Sequence, residues 1–226
     1  MPPDIRQVRV WDLPTRLFHW LLAGCVIASV ISAKVGGNAM VWHLRLGYVV
    51  LALLAFRLLW GVMGGRWSRF VSFVYSPTTL LRYLRGQGRA DEYLDVGHTP
   101  TGALSVFALL GILAVQVATG LIADDEIATT GPLIKFVSGA TSSLATSWHK
   151  TFGQWLIITL VVLHIAAIVF YLVKKRQNLV QPMITGDKPL PENVPASVDS
   201  ITSRGLAAAL LAACAGGVAW LVSLGA

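Results

Sequence analysis

The stretch at residues 148–173, WHKTFGQWLIITLVVLHIAAIVFYLV, decides the fold of this chain. It is apolar and long enough to cross a lipid bilayer, which takes about 20 helical residues. Two histidines, His149 and His164, stand near its ends, 15 residues apart. In a helix that separation is roughly 22 Å along the axis and roughly 60° around it, so both imidazoles face one side at two depths. Because ionisable residues within a span are costly to place and usually functional, the stretch predicts two sites stacked across the membrane.

The composition is that of an integral membrane protein. Of 226 residues, 55% are hydrophobic and 13% are charged, whereas soluble domains average about 25% charged residues. The net charge of +7 does not indicate nucleic-acid binding, since the basic residues of a membrane protein usually mark its cytoplasmic loops. Both cysteines, Cys25 and Cys214, lie in apolar runs and are interpreted as packing residues, not as disulfide or haem-attachment sites.

Apolar runs predict five transmembrane spans, at about 17–33, 42–63, 100–122, 148–173 and 203–224. A short interfacial helix is expected around residues 76–86, where Ser76-Pro77 favours a helix start. The segment 123–147 is expected to be a loop, acidic at first and then rich in Ser, Thr and Gly. The predicted fold class is an all-α integral membrane protein. A four-helix transmembrane bundle occupies residues 1–188, followed by a linker and a fifth, C-terminal transmembrane helix at 189–226.

The distribution of basic residues predicts the topology. Five spans place the two chain ends on opposite sides of the membrane. The side of the amino terminus carries thirteen of the 18 lysines and arginines: Arg6, Arg9, Arg16, Arg66, Arg69, Arg82, Arg85, Arg89, Lys174, Lys175, Arg176, Lys188 and Arg204. The other side carries only Lys34, Arg45, Lys135 and Lys150, and Arg57 lies within the second span. The chain is therefore predicted to lie in a cytoplasmic membrane, with its amino terminus in the cytoplasm and its carboxyl terminus on the opposite side.

All five histidines lie in spans or at their edges. With this topology His19 and His164 share the cytoplasmic depth, and His43 and His149 share the other depth. Two haem b groups, each held by two histidines, fit this pattern. The alternative is that these histidines are interfacial or bond to neighbouring helices. It is disfavoured because four of them pair by depth.

Neighbouring residues support haem sites at both depths. His43 and His149 are each followed four residues later by a glycine, Gly47 and Gly153, on the same helix face. A missing side chain there is expected to leave room for a flat porphyrin.

Two arginines are predicted to contact the inner haem. Arg57 lies 14 residues after His43, within roughly 40° of the same helix face, and Arg16 lies three residues before His19. A buried arginine needs an anion, and a haem propionate is a suitable one.

His98 allows several interpretations. It lies at the cytoplasmic edge of the third span and repeats the His-x-x-x-Gly spacing with Gly102. It could compete with His19 for His164 as a ligand, contact a propionate or a quinone, or cap the helix or serve in the loop. The residues alone leave these alternatives open.

Four stretches together resemble the bacterial cytochrome b561 family, in its broader group with the membrane cytochrome b subunits of nickel–iron hydrogenases. They are VWDLPTRLFHWLLA at 10–23, WHLRLGYVVLALLAFRLLWG at 42–61, GHTPTGALSVFALLGILAVQVATGL at 97–121, and WHK at 148–150 with LHIAAIVFYLVKKRQNLVQPMITGDK at 163–188. The resemblance covers nearly the whole chain. It implies haem ligands on the first, second and fourth spans, carried here by His19 with His164 and by His43 with His149. It assigns no ligand to the third span, which leaves His98 beside a site.

Electron transfer is the predicted function. Iron held by two histidines has no open coordination position, so oxygen activation at the iron is disfavoured. Two such haems at two depths predict transfer across the membrane between the quinone pool and a periplasmic redox partner. The resemblance implies a c-type cytochrome or a redox enzyme such as a hydrogenase as that partner. The quinone, ubiquinone or menaquinone, is expected near Arg16, Arg57 and His98.

Three alternatives leave the enzyme class undecided. The resemblance implies that some members oxidise superoxide at the outer haem, and Lys34, Arg45 and Lys150 could attract that anion. The chain could instead be the haem-carrying anchor subunit of a hydrogenase-like complex, or a haem-free structural subunit or transporter. In each case the chain is expected to contact membrane lipid and not to bind nucleic acid. Whether it forms a homo-oligomer is left open.

Overall fold

The computed structural model describes residues 4–89, 92–127 and 129–225. In these ranges the chain is mainly helical, with two short strands. The helices are α1 Leu13–Val35, α2 Met40–Met63, α3 Pro77–Leu84, α4 Pro100–Leu121, α5 Gly139–Trp148, α6 Gln154–Val173, α7 Val180–Thr185 and α8 Ile201–Ser223, and the strands are β1 Ile5–Arg9 and β2 Asp187–Pro191.

Five helical segments of the described chain are long and apolar enough to cross a membrane, which confirms the predicted fold class. They are Leu13–Val35, Gly37–Met63, Pro100–Leu121, Gly139–Val173 and Ile201–Ser223. Their large apolar side chains are often exposed, as at Ile31, Leu163 and Trp220. Such exposure suits helices whose outer faces contact lipid chains instead of water.

Local signals account for several helix starts. Asp12 precedes α1, and its Oδ1 accepts the backbone N–H of Thr15 at 2.8 Å, which satisfies a donor at the helix start. Ser76 caps α3 by accepting the N–H of Thr79, with proline at the first turn, as the sequence predicts. Ser138 caps α5 in the same way by accepting the N–H of Thr141.

The fourth span begins earlier than expected. The prediction of a loop over 123–147 is wrong for residues 139–147, which belong to α5. Ser and Thr are weak helix formers in isolation, but here a capped turn continues directly into the apolar run. Between α5 and α6, residues His149–Gly153 form a π-helical turn. Such turns are rare and frequently mark functional sites.

The two strands were not predicted. They pair antiparallel, from Ile5 opposite Pro191 to Arg9 opposite Asp187. Each is five residues long and mixes polar and apolar residues, and they are far apart in sequence, so no local pattern indicates the pairing. β2 runs through residue 188, where the sequence places a domain boundary, and that division stays a prediction.

The described residues form two compact units, each with its own apolar core. The first unit comprises Met1–Leu17, Arg57–Ala108 and Leu163–Ala208, and the second comprises Phe18–Phe56, Leu109–Val162 and Ala209–Ala226. The first has a core around Val10, Trp11 and Trp67. The second has a core around Leu54, Leu113 and Ile157, against which Cys25 packs. The first unit holds the thirteen basic residues assigned to the amino-terminal side together with Arg57, and the second holds the other four.

Candidate functional site

The second unit brings two of the predicted histidines together. His43 comes from the first turn of α2, and His149 from the π-helical turn before α6. The centroids of their rings are 5.9 Å apart and the ring planes are at 89° to each other. Both side chains are partly buried. Their role as metal ligands stays a prediction, and their hydrogen bonds and the spacing of their rings suit that role.

Both imidazoles are held by a backbone carbonyl through the same ring atom. His43 Nδ1 is 2.9 Å from the carbonyl oxygen of Ser29, and His149 Nδ1 is 2.9 Å from that of Gln116. A carbonyl can only accept, so each Nδ1 carries the proton and donates it. In the neutral imidazole this leaves a lone pair on each Nε2, which is the state that a metal ligand needs.

The spacing of the two rings fits a metal ion between them. A bond from a metal to an imidazole nitrogen is about 2.0–2.1 Å long, so two imidazoles on opposite sides of one metal have centroids roughly 6 Å apart. The 5.9 Å between His43 and His149 matches this separation. The pair therefore suits a cofactor that brings its own equatorial donors, as haem does.

A cavity of about 540 Å³ opens beside the pair and is named here the histidine cavity. Its size is that of small-molecule and cofactor sites, which span about 300–1,000 Å³. His43, His149 and Gly47 contribute to its wall. Much of the remaining wall is apolar, as expected for a macrocycle site: Val26, Val30, Val50, Leu113, Val117 and Ile157.

The glycines around the cavity act differently from one another. A Cβ at Gly47 would meet nothing within 4 Å, so the predicted open space is present there. At Gly153 a Cβ would collide with the side-chain amide of Gln116, so the prediction that this glycine makes room for a porphyrin is wrong. Sequence reasoning missed Gly120 on α4. A Cβ there would lie 2.8 Å from Cε1 of His149, so this glycine makes room for the imidazole itself.

Gln116 is the functional residue that the sequence left unnoticed. Its backbone carbonyl accepts from His149 Nδ1, and its side-chain Nε2 donates to the backbone carbonyl of His149 at 2.9 Å. The third span thus supplies no histidine to this pair but holds one of its rings. An amide side chain in the middle of an apolar span was the available signal, because polar groups there usually bond to a neighbouring helix.

Several buried polar atoms of the second unit have no hydrogen-bond partner among the described residues. They include Ser29 Oγ, Gln116 Oε1 and Gln154 Nε2, all on residues that line the histidine cavity. Leaving such atoms unpaired costs free energy. A cofactor with polar edge groups fits this wall better than a purely apolar molecule does.

Among the described residues, the wall of the histidine cavity carries two basic and two acidic residues. Lys34 and Lys150 line it, but so do Asp124 and Asp125. Arg45 does not line it, since its guanidinium lies over the ring of Trp42, 5.2 Å from the centroid. The predicted cluster of three basic residues is therefore reduced to two, each with acidic neighbours in the same wall.

The predicted inner pair falls in two different units, and its pairing stays a prediction. His19 lies on α1 in the second unit, partly buried, with its ring edge-on to Trp20 at a centroid distance of 5.0 Å. His164 lies on α6 in the first unit and is also partly buried.

Arg57 lies inside the first unit, only 3% exposed. Its Nη2 donates to the carbonyl of Ser68 at 3.0 Å, and the guanidinium carbon lies 4.6 Å from the centroid of the Phe70 ring. A propionate contact was predicted for this side chain and stays a prediction. Its described partners are a carbonyl and an aromatic face.

A buried carboxylate, Asp12, organises the same unit and was missed. It is 0% exposed. Four donors surround its two oxygens: the N–H groups of Thr15 and Gly65, Trp60 Nε1 and Ser68 Oγ, at 2.7–3.1 Å. This network ties the start of α1 to the end of α2. A local sequence pattern indicates only its capping contact.

The structure places His98 next to aromatic rings. Its ring lies between Trp11 and Phe73, with centroid distances of 4.7 and 4.4 Å. The Oγ1 of Thr99 accepts from the N–H of Gly102 at 3.1 Å. Thr99 therefore fills the capping position of α4, and the alternatives for His98, as a haem ligand, as a contact of a propionate or quinone, or as a cap or loop residue, stay predictions.

Arg16 is engaged with the chain itself. Its Nη1 donates to the carbonyl of Ile184, while its Nε has no partner among the described residues. Its predicted cofactor contact stays a prediction.

Comparison with known proteins gives a consistent answer. A family model described as prokaryotic cytochrome b561 matches residues 10–186. The chain is 22% identical over 216 residues to a protein of Cupriavidus necator named "Probable Ni/Fe-hydrogenase B-type cytochrome subunit", with 81% of this chain and 87% of the relative covered. A protein of the same name from Rhodobacter capsulatus is 28% identical over 225 residues, with 83% of each chain covered. A relative in Escherichia coli K12, named as the corresponding subunit of hydrogenase 1, is 22% identical over 211 residues, covering 78% of this chain and 88% of the relative. No solved structure matches the chain.

Proposed function

This chain belongs to the prokaryotic cytochrome b561 family, and on that premise we propose that it carries electrons between the quinone pool and a redox protein on the periplasmic side. Membership of this family means that the chain is a multi-pass membrane cytochrome of the b type that serves electron transfer. We propose in addition two haems, their histidine ligands, a quinone and a periplasmic partner.

The observation that carries the proposal is the pair His43 and His149. Their ring centroids are 5.9 Å apart, and both Nδ1 atoms donate to backbone carbonyls. This arrangement presents two Nε2 lone pairs beside a cavity of about 540 Å³. Haem b, when bound, supplies one-electron exchange between ferric and ferrous iron.

The residues of the chain determine how such a group would behave. The carbonyls of Ser29 and Gln116 hold each imidazole in one tautomer and one orientation. With His43 and His149 as its two protein ligands, such a group would have no open position for oxygen. The apolar part of the wall would lower the polarity around a bound haem, which is one of the factors that set its potential.

A second haem is proposed between His19 and His164, on the basis of their spacing in the sequence and the family resemblance. The quinone is proposed near Arg16, Arg57 and His98. All three residues lie in the first unit, and the ring of His98 lies between those of Trp11 and Phe73.

The names of the relatives favour a hydrogenase-like partner over a c-type cytochrome. The relatives compared above carry the name of a B-type cytochrome subunit of a Ni/Fe-hydrogenase. The alternative of the chain as a haem-carrying anchor subunit is thus compatible with the main proposal, since an anchor that holds haem also conducts electrons. Oxidation of superoxide gains no support from charge, because Asp124 and Asp125 line the same cavity as Lys34 and Lys150.

Haem counting tests the ligands. The purified protein should give a pyridine haemochrome spectrum near two haems b per chain. His43→Ala and His149→Ala should each remove the same haem, His164→Ala should remove the other one, and His98→Ala should keep both. Loss of the same haem in His149→Ala and His164→Ala would disprove the pairing, and an absence of haem would end the proposal.

Rapid mixing identifies the electron donor. Quinol should reduce the haem faster than pulses of superoxide do. A Lys34→Gln/Lys150→Gln variant should leave the quinol rate unchanged. Fast reduction by superoxide that this variant abolishes, with Lys135→Gln as the matched control, would favour the superoxide alternative instead.

A further inference from the structure

A second cavity lies within the first unit, where α2 ends and α8 begins. It measures about 430 Å³ and is named here the arginine cavity. It is bordered by the end of α2, by the turn that follows and by the segment leading into α8: Trp60, Met63, Gly64, Gly65, Arg66, Arg69, Ala196, Val198, Ser203 and Leu206. Nothing in the proposed electron-transfer function uses it.

The charge of this cavity is of one sign. Two arginines, Arg66 and Arg69, border it, and no acidic residue does. Among the described residues neither guanidinium has a carboxylate within 4.0 Å. Both side chains are exposed. Arg66 lies over the ring of Trp67, 5.5 Å from its centroid, which leaves its N–H groups available.

Two carboxylates of the same unit, Asp12 and Asp199, are already engaged within the chain. Asp12 accepts four hydrogen bonds through its two oxygens. Asp199 bonds to Arg9 at 2.9 Å and to Arg204 at 2.8 Å. Neither carboxylate is free to pair with Arg66 or Arg69, so the cavity attracts an anion from outside the chain.

The position of the cavity indicates what kind of anion. α2 ends at Met63 and α8 begins at Ile201, and both are ends of apolar segments long enough to span a membrane. The cavity therefore lies at the level of lipid headgroups. Met63 and Leu206 border it as well, and they are 51% and 42% exposed. A ligand with a charged head and an apolar tail fits such a wall better than a free inorganic ion does.

We propose that the arginine cavity binds the phosphodiester headgroup of an anionic phospholipid. Arg66 and Arg69 hold the phosphate through charge-assisted hydrogen bonds. Met63, Val198 and Leu206 contact the start of an acyl chain. Basic pockets between transmembrane helices are known headgroup sites in membrane proteins in general. The bound lipid would hold α8 against the end of α2.

The test uses the full-length purified holoprotein after removal of its native lipid. Native mass spectrometry and thermal unfolding are measured with phosphatidylglycerol, with phosphatidylcholine and with inorganic phosphate. Wild type should bind phosphatidylglycerol at least about tenfold more tightly than phosphatidylcholine. Inorganic phosphate should neither stabilise the protein at millimolar concentration nor compete for the lipid.

Matched variants separate the cavity from general charge. R66Q/R69Q should bind phosphatidylglycerol at least about tenfold more weakly. R85Q/R89Q removes two guanidinium groups that do not border the cavity and should bind like wild type. The haem spectrum of each variant reports folding, and the single variant R69Q, with an intermediate loss expected, serves if the double variant does not fold.

Three outcomes would overturn the proposal. One is equal loss of lipid in R66Q/R69Q and R85Q/R89Q, which would indicate attraction to overall charge. Another is equal binding of both phospholipids by wild type. The third is displacement of the lipid by inorganic phosphate, which would identify a site for a free anion. None of these bears on the haem ligands, since the haem spectrum is measured separately.

Discussion

The Asp12 network of the first unit and the histidine cavity of the second differ in how their buried polar groups are paired. In the first unit, Asp12 is completely buried and accepts four hydrogen bonds, and Ser68 links it to Arg57. In the second unit, Ser29 Oγ, Gln116 Oε1 and Gln154 Nε2 are buried beside a large cavity without a partner among the described residues.

We interpret this as the difference between a structural polar site and a proposed binding site. Buried polar groups that serve stability are satisfied within the chain, because each unpaired group costs about 1–3 kcal/mol. Groups that serve a ligand are left incomplete until it binds. The two histidines of the second unit show both features, since each Nδ1 is satisfied by a carbonyl while each Nε2 keeps its lone pair.

The largest expected effect is on the first unit. Asp12→Ala leaves four buried donors unpaired and should lower the free energy of unfolding by about 3–5 kcal/mol. Thermal unfolding followed by circular dichroism measures this. Asp4→Ala, at an exposed carboxylate, is the control and should change stability by less than about 0.5 kcal/mol. Equal effects of the two substitutions would show that the Asp12 network is not structural.

Next in size is an effect on the second unit. Gly120→Ala places a Cβ 2.8 Å from Cε1 of His149, so the imidazole must move. Haem affinity at this pair should fall about 10- to 100-fold, as for other changes to groups that orient a ligand. Gly111→Ala is the matched control on the same helix, because its Cβ would meet nothing within 4 Å. Haem titration into the apoprotein should show full binding in that control, and equal losses would exclude a specific contact.

Gln116 offers a subtler comparison. Gln116→Leu removes the hydrogen bond from Nε2 to the carbonyl of His149, at a cost of about 1 kcal/mol. The reduction potential of the haem at this pair should shift, as measured by redox titration of its absorbance. Gln177→Leu removes an amide that does not line the histidine cavity, and it should leave the potential unchanged. An equal shift in Gln177→Leu would show that the change at Gln116 does not act through His149.

The smallest effect concerns the ion pairs of the first unit. Hydrogen bonds from Arg204 hold the pKa of the Asp199 carboxyl below its ordinary value, with help from the N–H of Leu13 and from Arg9. A lowered carboxyl pKa stabilises the fold at neutral pH, and this contribution is lost as the pH falls below about 4. Asp199→Asn should therefore flatten the fall of the unfolding temperature between pH 7 and pH 3. The change should be below about 1 kcal/mol, because the arginines are partly exposed, and an unchanged pH profile would contradict it.

The sequence predicted the residues of the outer pair but not the means by which they are held. His43 and His149 were paired by depth alone, from span positions and the arginine count. The contact with Gln116, the room at Gly120 and the π-helical turn at His149 could not be predicted, because they depend on how helices are rotated against one another. The misassignment of Gly153 has the same cause, since a shared helix face does not say what lies opposite that face.

By itself the sequence determined the five spans and the family. Both follow from local properties: the length of the apolar runs, the Gly and Pro residues that end them, and the spacing of the histidines. Only the tertiary structure decided the β1–β2 pairing, the burial of Asp12 and the tautomers of the two histidines. The β1–β2 pairing joins residues about 180 positions apart and leaves no local pattern. Burial and hydrogen bonding across helices depend on packing, which fixes the rotation of each helix and the atoms that it meets.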